Sequence, residues 1–95
     1  MEKQIKKDNK MIEKTFNQLK EEGREINDIC FEIFDNFDGL RNISKAYYIN
    51  DIFYVKWNGN SEFYDYNEKY FLSDLMYYEG FTKEQSLKII EKMKG

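Results

Sequence analysis

The residue types that most often carry out catalysis are sparse in this chain. Its 95 residues include a single cysteine, Cys30, and no histidine. A thiol or hydroxyl nucleophile needs a neighbouring base, most often histidine, to take its proton. Cys30 lies between Ile29 and Phe31, in an apolar run typical of a small buried side chain. We therefore expect Cys30 to be structural, and a lone cysteine cannot close a disulfide within the chain.

Carboxylates are abundant, but their spacing indicates no metal site. Residues 35–39, DNFDG, have the composition of a calcium loop. With Gly39 at the sixth loop position, the first ligand would be Phe34 and the twelfth Lys45, where calcium requires acidic side chains. A plain turn is expected there. The glycines are isolated, so no phosphate-binding loop is predicted either. These patterns predict a protein that is not an enzyme and uses no metal or cofactor.

The remaining chemistry is binding by aromatic side chains, which concentrate in residues 45–66. Three β-rich runs there are separated by Asn50-Asp51 and Asn58-Gly59. Asn-Gly is the strongest signal for a type I′ hairpin turn, because both central positions need φ > 0, and Asn-Asp is a weaker version. The sequence therefore predicts a three-stranded antiparallel meander with two tight turns.

Alternation along these strands gives the sheet two aromatic faces. Two-residue turns would pair Tyr48 with Phe53, and Phe53 with Tyr64. One face then carries Ala46, Tyr48, Phe53, Val55, Trp57, Tyr64 and Tyr66. The other carries Tyr47, Ile49, Ile52, Tyr54, Lys56, Phe63 and Asp65. A core needs only one face, and the pattern leaves open which one is exposed.

The segment before the sheet is predicted to be helical over residues 2–22, with helical spacing again in residues 25–37. An apolar residue recurs every seventh position across both segments, at Ile5, Ile12, Leu19, Ile26 and Ile33. This heptad-like stripe allows one long helix that self-associates, or two helices that divide near Gly23 and pack on one sheet. Residues 29–35 also alternate as a strand would, so three possibilities stay open.

Two helices are predicted after the sheet. The first covers residues 68–78, with Phe71, Leu72, Leu75, Met76 and Tyr78 as its apolar positions. Gly80 suits the position after its end. Thr82 and Gln85 form a capping box for the second helix, which presents Leu87 and Ile90 inward, with Met93 as a further candidate. The fold class is therefore α+β in a single domain: an N-terminal helical region, the meander and two C-terminal helices.

Charge is distributed unevenly along the chain. Residues 25–80 contain four basic and eleven acidic side chains, whereas the net charge of the whole chain is −3. An acidic surface repels polyanions and attracts basic protein surfaces. Direct nucleic-acid binding is therefore disfavoured, although the lysines of residues 2–22 keep a nucleic-acid-binding accessory protein as an alternative. No apolar run approaches a membrane span or a signal peptide, which favours a cytoplasmic location.

The predicted binding surface combines aromatic and acidic side chains of the second sheet face. Tyr47, Tyr54 and Phe63 lie on adjacent strands, with Glu62 and Asp65 close by. Tyrosine is enriched at interface hot spots because it buries a large area and keeps a polar group. We predict that these five residues bind a protein partner that has a basic surface.

Residues 77–87, YYEGFTKEQSL, resemble a segment common near the C-terminus of small phage and prophage proteins of low-GC bacteria. Small size and acidity also resemble phage-encoded inhibitors of host defence, of which anti-CRISPR proteins are one group. The resemblance implies a non-catalytic inhibitor that occupies a basic surface of a host nucleic-acid-handling enzyme. A self-associating structural module that uses the heptad-like stripe is a further alternative.

Overall fold

The computed structural model describes residues 24–95 of the chain. The elements in order are helix α1 (Ile26–Ile33), strands β1 (Ile43–Ile49), β2 (Ile52–Trp57) and β3 (Phe63–Tyr66), and helices α2 (Glu68–Tyr78) and α3 (Lys83–Lys94). The strands form one antiparallel sheet in the order β1-β2-β3. The predicted α+β fold is confirmed, while the helix predicted for residues 2–22 lies outside the described residues.

Helix α1 has an acidic residue, Glu25, at its N-cap position. Glu25 is extended, with φ −102° and ψ 149°, and its carboxylate accepts a hydrogen bond from the Asn27 amide at 3.1 Å. An extended residue interrupts the helical hydrogen-bond ladder, so the single long helix is excluded. The strand considered for residues 29–35 is also wrong, because α1 occupies most of that range. The helix ends at Ile33, short of Phe37, because Phe34 is extended.

The described part of the heptad-like stripe packs within the chain. Ile26 is fully buried in the core beside Ile29 and Cys30, and Ile33 packs partly buried against that core. Ile26 therefore cannot contribute to a coiled-coil interface between two chains. The other stripe residues, Ile5, Ile12 and Leu19, lie outside the described residues.

The first hairpin forms as predicted. Asn50 and Asp51 have φ values of 48° and 69°, which is the left-handed conformation that both central positions of a type I′ turn need. Tyr48 pairs with Phe53, and the Tyr48 hydroxyl donates a hydrogen bond to Asp51 Oδ1 at 2.8 Å. This side-chain hydrogen bond links strand β1 to the turn that follows it.

The second hairpin differs from the prediction. Only Gly59 has a positive φ, 89°, so Asn58-Gly59 is not a type I′ turn. The Asn58 amide instead donates to the Asn42 carbonyl at 2.8 Å, which keeps Asn58 bound to the segment before β1. The loop is longer in consequence, and Phe53 pairs with Tyr66 rather than Tyr64. Because the shift is two residues, each side chain keeps its predicted face.

Gly59→Val should lower the free energy of unfolding by about 1–2 kcal/mol, because a β-branched residue is strained at positive φ. Nothing lies within 4 Å of a Cβ placed at Gly59, so the loss would come from the backbone alone. Urea unfolding measures it, with Asn60→Val as the matched control in the same loop. Equal midpoints for the two variants would contradict the assigned backbone conformation.

The core lies between the first sheet face and the three helices. Ala46, Phe53 and Val55 are fully buried on that face, as the strand alternation predicted. The helices cover them with Ile26, Ile29, Cys30, Phe71, Leu75, Ile89, Ile90 and Met93. Burial raises the pKa of the Cys30 thiol to about 12, which keeps the thiol protonated and unreactive.

Helix α3 has the predicted capping box. The backbone N–H of Gln85 donates to Thr82 Oγ1 at 3.0 Å, and the side-chain Oε1 of Gln85 accepts from the backbone N–H of Thr82 at 2.9 Å. The prediction that Leu87 points inward is wrong, because it is exposed. The buried positions are Ser86, Ile89, Ile90 and Met93. They follow helical spacing from Ser86.

Candidate binding site

The structure brings the three predicted aromatic residues of the second sheet face together. Tyr47 pairs directly with Tyr54, and its ring centroid lies 6.2 Å from that of Phe63. Tyr54 faces Asp65 rather than Phe63, because of the shifted register of the second hairpin. The predicted neighbourhood therefore exists, with a different pairing.

This aromatic cluster is largely packed. Tyr47 exposes only 4% of its surface, and Ile49, Tyr54 and Phe63 pack against it. Burial, assisted by nearby acidic residues, raises the pKa of the Tyr47 hydroxyl. Glu62 and Asp65 are also partly buried. Little of Tyr47 is therefore accessible to a partner, and the assignment of these five residues as a binding surface stays a prediction.

Most of the exposed aromatic side chains lie instead on helix α2, and Phe31 of helix α1 is exposed as well. Tyr77, Tyr70 and Tyr78 expose 79%, 53% and 47% of their surfaces, and Met76 is exposed as well. Met76 and Tyr78 were among the apolar positions predicted for this helix, but both are exposed, and Tyr78 contacts Trp57. Helix α2 turns Phe71 and Leu75 to the core, and this leaves its tyrosines at the surface.

A cleft opens where helix α2 meets strands β2 and β3. We call it the aromatic cleft; it has a volume of about 370 Å³ and is lined by Asn42, Trp57, Asn58, Tyr66, Asp74 and Tyr78. The Trp57 ring packs edge-to-face against Tyr66, with ring centroids 6.3 Å apart and planes at 87°. It packs in the same way against Tyr78, with centroids 5.2 Å apart and planes at 70°. The Trp57 indole N–H donates to the Tyr66 hydroxyl at 3.1 Å, which fixes the ring.

An open groove continues from this cleft over the surface of α2. We call it the tyrosine groove; it has a volume of about 580 Å³ and is lined by Ser73, Asp74, Met76, Tyr77 and Tyr78. Asp74 and Tyr78 line both the groove and the cleft. Residues three and four apart share one side of a helix, which places Tyr77 and Tyr78 beside Asp74. The two concavities therefore form one continuous surface.

Asp74 is the acidic residue at the centre of this surface. Burial raises the pKa of its carboxyl group to about 6. Across residues 24–95, no ion pair or hydrogen bond engages this carboxylate. A partly desolvated carboxylate without a counter-charge destabilises the folded domain, and such groups are concentrated at functional sites.

The wall of the cleft at Asn42 is held by a second carboxylate. Glu79 is buried and accepts hydrogen bonds from the backbone amides of Arg41, Asn42 and Ile43, at 2.5, 2.8 and 2.7 Å. The Asn42 side chain also donates to the Tyr78 carbonyl at 2.7 Å. These bonds tie the end of α2 to the start of β1, so the cleft is preformed.

In the described part of the chain, no group of three potential ligand side chains could hold a metal ion. None of the helices within residues 24–95 has the length and apolar character needed to cross a membrane. Comparisons with protein-family models, curated proteins and solved structures found no match to this chain. The function proposed below therefore rests on the geometry and charge of the site.

Proposed function

We propose that this domain is a non-catalytic protein-binding module that contacts a basic partner surface through the tyrosine groove and the aromatic cleft. The exposure of Tyr77, at 79%, beside the partly exposed Tyr78 is the observation that carries the proposal. Large aromatic side chains are costly to leave in water, and they supply much of the energy of protein interfaces. Their concentration on one helix favours a docking surface over scattered surface residues.

Charge supports a basic partner. Residues 25–80, which include both the cleft and the groove, contain four basic and eleven acidic side chains. Asp74, which lines both concavities, is acidic, and neither lining contains a lysine or arginine. Complementary charge speeds association and disfavours polyanionic partners such as DNA.

The resemblance of residues 77–87 to small phage proteins favours one form of this function. In that form the domain inhibits a host enzyme that handles nucleic acid, by occupying the basic surface on which the enzyme binds phosphates. The same stretch begins with the exposed Tyr77 and Tyr78. Capture of the partner from host lysate, followed by mass spectrometry, would identify it.

Tyr77→Ala should weaken binding to the captured partner by about 2 kcal/mol or more, because a central interface aromatic contributes that much. Its melting temperature should match that of the parent, since the ring makes little contact with the core. Titration calorimetry measures the affinity. Phe31→Ala is the matched control, because Phe31 is exposed on helix α1 and lines neither concavity.

Two results would contradict the proposal. Unchanged affinity of Tyr77→Ala, with lost affinity of a folded Tyr54→Ala variant, would move the site to the second sheet face. Micromolar binding of DNA or RNA at physiological salt, steeply weakened by added salt, would favour the nucleic-acid-binding alternative.

A further inference from the structure

The lining of the aromatic cleft offers acceptors and aromatic rings without a positive charge. Trp57, Tyr66 and Tyr78 supply the rings, and Asp74 supplies a carboxylate. The Asn58 side-chain nitrogen donates to the Arg41 carbonyl at 3.0 Å, as the Asn42 side-chain nitrogen does to Tyr78. Each bond uses one of the two side-chain N–H groups, and the amide oxygens remain as acceptors. The Asp74 carboxylate and the two amide oxygens therefore favour a ligand that carries several hydrogen-bond donors.

The ring arrangement indicates that the ligand is a cation. Tryptophan and tyrosine faces attract cations within about 6 Å of the ring centroid, and tryptophan does so most strongly. Because Trp57 stands at a steep angle to Tyr66 and to Tyr78, the rings form walls in different planes. The unpaired carboxylate of Asp74 adds the negative charge that would balance a bound cation. A phosphate or carboxylate ligand would be repelled by Asp74.

We infer that the aromatic cleft accepts the guanidinium group of one arginine side chain of the protein partner, with Asp74 as its counter-ion and Trp57 as its stacking surface. This inference rests on the proposed function, since the arginine belongs to the basic surface that the domain binds. A planar guanidinium stacks on aromatic rings and pairs with a carboxylate through two parallel hydrogen bonds. A lysine ammonium matches the carboxylate but lacks a plane to stack on Trp57.

The cleft has room for an arginine side chain. A volume of about 370 Å³ lies at the small end of ligand sites, too small for a folded segment. The adjoining tyrosine groove shares Asp74 and Tyr78 with it, so the backbone that carries the arginine would cross the groove. The arginine would then anchor the partner at one end of the docking surface.

Trp57 provides a direct probe of occupancy, because it is the only tryptophan in the chain. The ligand probe is the tripeptide Gly-Arg-Gly, blocked at both ends, and two matched peptides replace arginine by lysine or by neutral citrulline. We expect Gly-Arg-Gly to change the Trp57 fluorescence saturably and to shift its indole N–H signal in NMR spectra. The citrulline peptide should bind roughly tenfold more weakly or worse, because it lacks the charge.

Asp74→Asn should weaken Gly-Arg-Gly binding by roughly tenfold or more, since a charge-assisted pair is lost. The variant should fold at least as well as the parent, because it removes a partly desolvated charge. Asp35→Asn is the matched control, since Asp35 is exposed and lies outside the cleft. Tyr78→Leu is a second variant, which removes one ring while it keeps an apolar side chain.

The inference would be overturned by equal binding of the arginine and citrulline peptides, by equal binding of the lysine peptide, or by unchanged affinity in folded Asp74→Asn. Its failure is distinguishable from failure of the proposed function. If Tyr77→Ala weakens binding to the partner but the arginine peptide does not bind, only the assignment of an arginine to the aromatic cleft is wrong. If the arginine peptide binds but Tyr77→Ala leaves the affinity for the partner unchanged, the proposed docking surface is wrong instead.

Discussion

Glu79→Gln is expected to lower the free energy of unfolding by about 2–4 kcal/mol, although the two side chains have nearly the same shape. The buried carboxylate accepts three backbone N–H groups, from Arg41, Asn42 and Ile43. Glutamine has one acceptor oxygen, and its NH₂ group would face the donors that the second carboxylate oxygen now satisfies. A buried amide left without an acceptor costs about 1–3 kcal/mol.

Urea unfolding, followed by the fluorescence of Trp57, measures this loss. Glu91→Gln is the control, because Glu91 is exposed on helix α3 and the change removes the same charge. We expect the control to unfold within about 0.5 kcal/mol of the parent. Equal midpoints for Glu79→Gln and Glu91→Gln would show that the three amides find other acceptors, and that Glu79 does not hold the cleft wall.

The role of Glu79 marks the limit of what the sequence could predict. Its partners lie 36 to 38 residues earlier in the chain, so no local pattern links them. The features predicted correctly have local causes. The capping box of α3 needs only Thr82 and Gln85, and the Asn50-Asp51 turn depends on the backbone freedom of those two residues.

The second hairpin shows how a distant contact overrides a local signal. Asn58-Gly59 is a strong turn sequence, but the Asn58 backbone and side chain donate to Asn42 and Arg41, outside the hairpin. Two hydrogen bonds of about 1 kcal/mol each are comparable to the whole turn preference. Strand β2 therefore ends at Trp57, the Asn60 amide donates to the Trp57 carbonyl at 3.0 Å, and pairing with β3 starts only at Lys56 and Phe63.

The surface predicted from the sequence and the surface proposed from the structure differ for a related reason. Alternation showed two aromatic sheet faces, but the coverage of each face depends on helix packing, which alternation does not encode. Trp57 and Tyr66 were correctly assigned to the core face, yet both line the open cleft beside α2. The available signal was the single tryptophan together with the Tyr77-Tyr78 pair near an acidic residue. Helical spacing alone could not show that Tyr77 is exposed.

Phe71→Ala should have the largest effect on stability, a loss of about 3–5 kcal/mol, because it removes a fully buried ring and leaves a cavity. The Phe71 ring stacks on Phe53 of strand β2, with centroids 4.6 Å apart and planes within 14°. This contact fixes helix α2 on the sheet. The aromatic cleft depends on it, because Trp57 and Tyr66 come from the sheet, whereas Asp74 and Tyr78 come from the helix.

A loss of this size approaches the whole stability of a small domain, so Phe71→Leu is needed as a second variant. It keeps an apolar side chain, and we expect it to stay folded with a smaller loss. In that folded variant, the flat ring stack with Phe53 is gone and α2 can shift against the sheet. The affinity for the arginine peptide should therefore fall, although Phe71 lies outside the cleft lining. A Phe71→Ala loss below about 1 kcal/mol, well under the usual cost of removing a buried ring, would mean that α2 is held by other contacts.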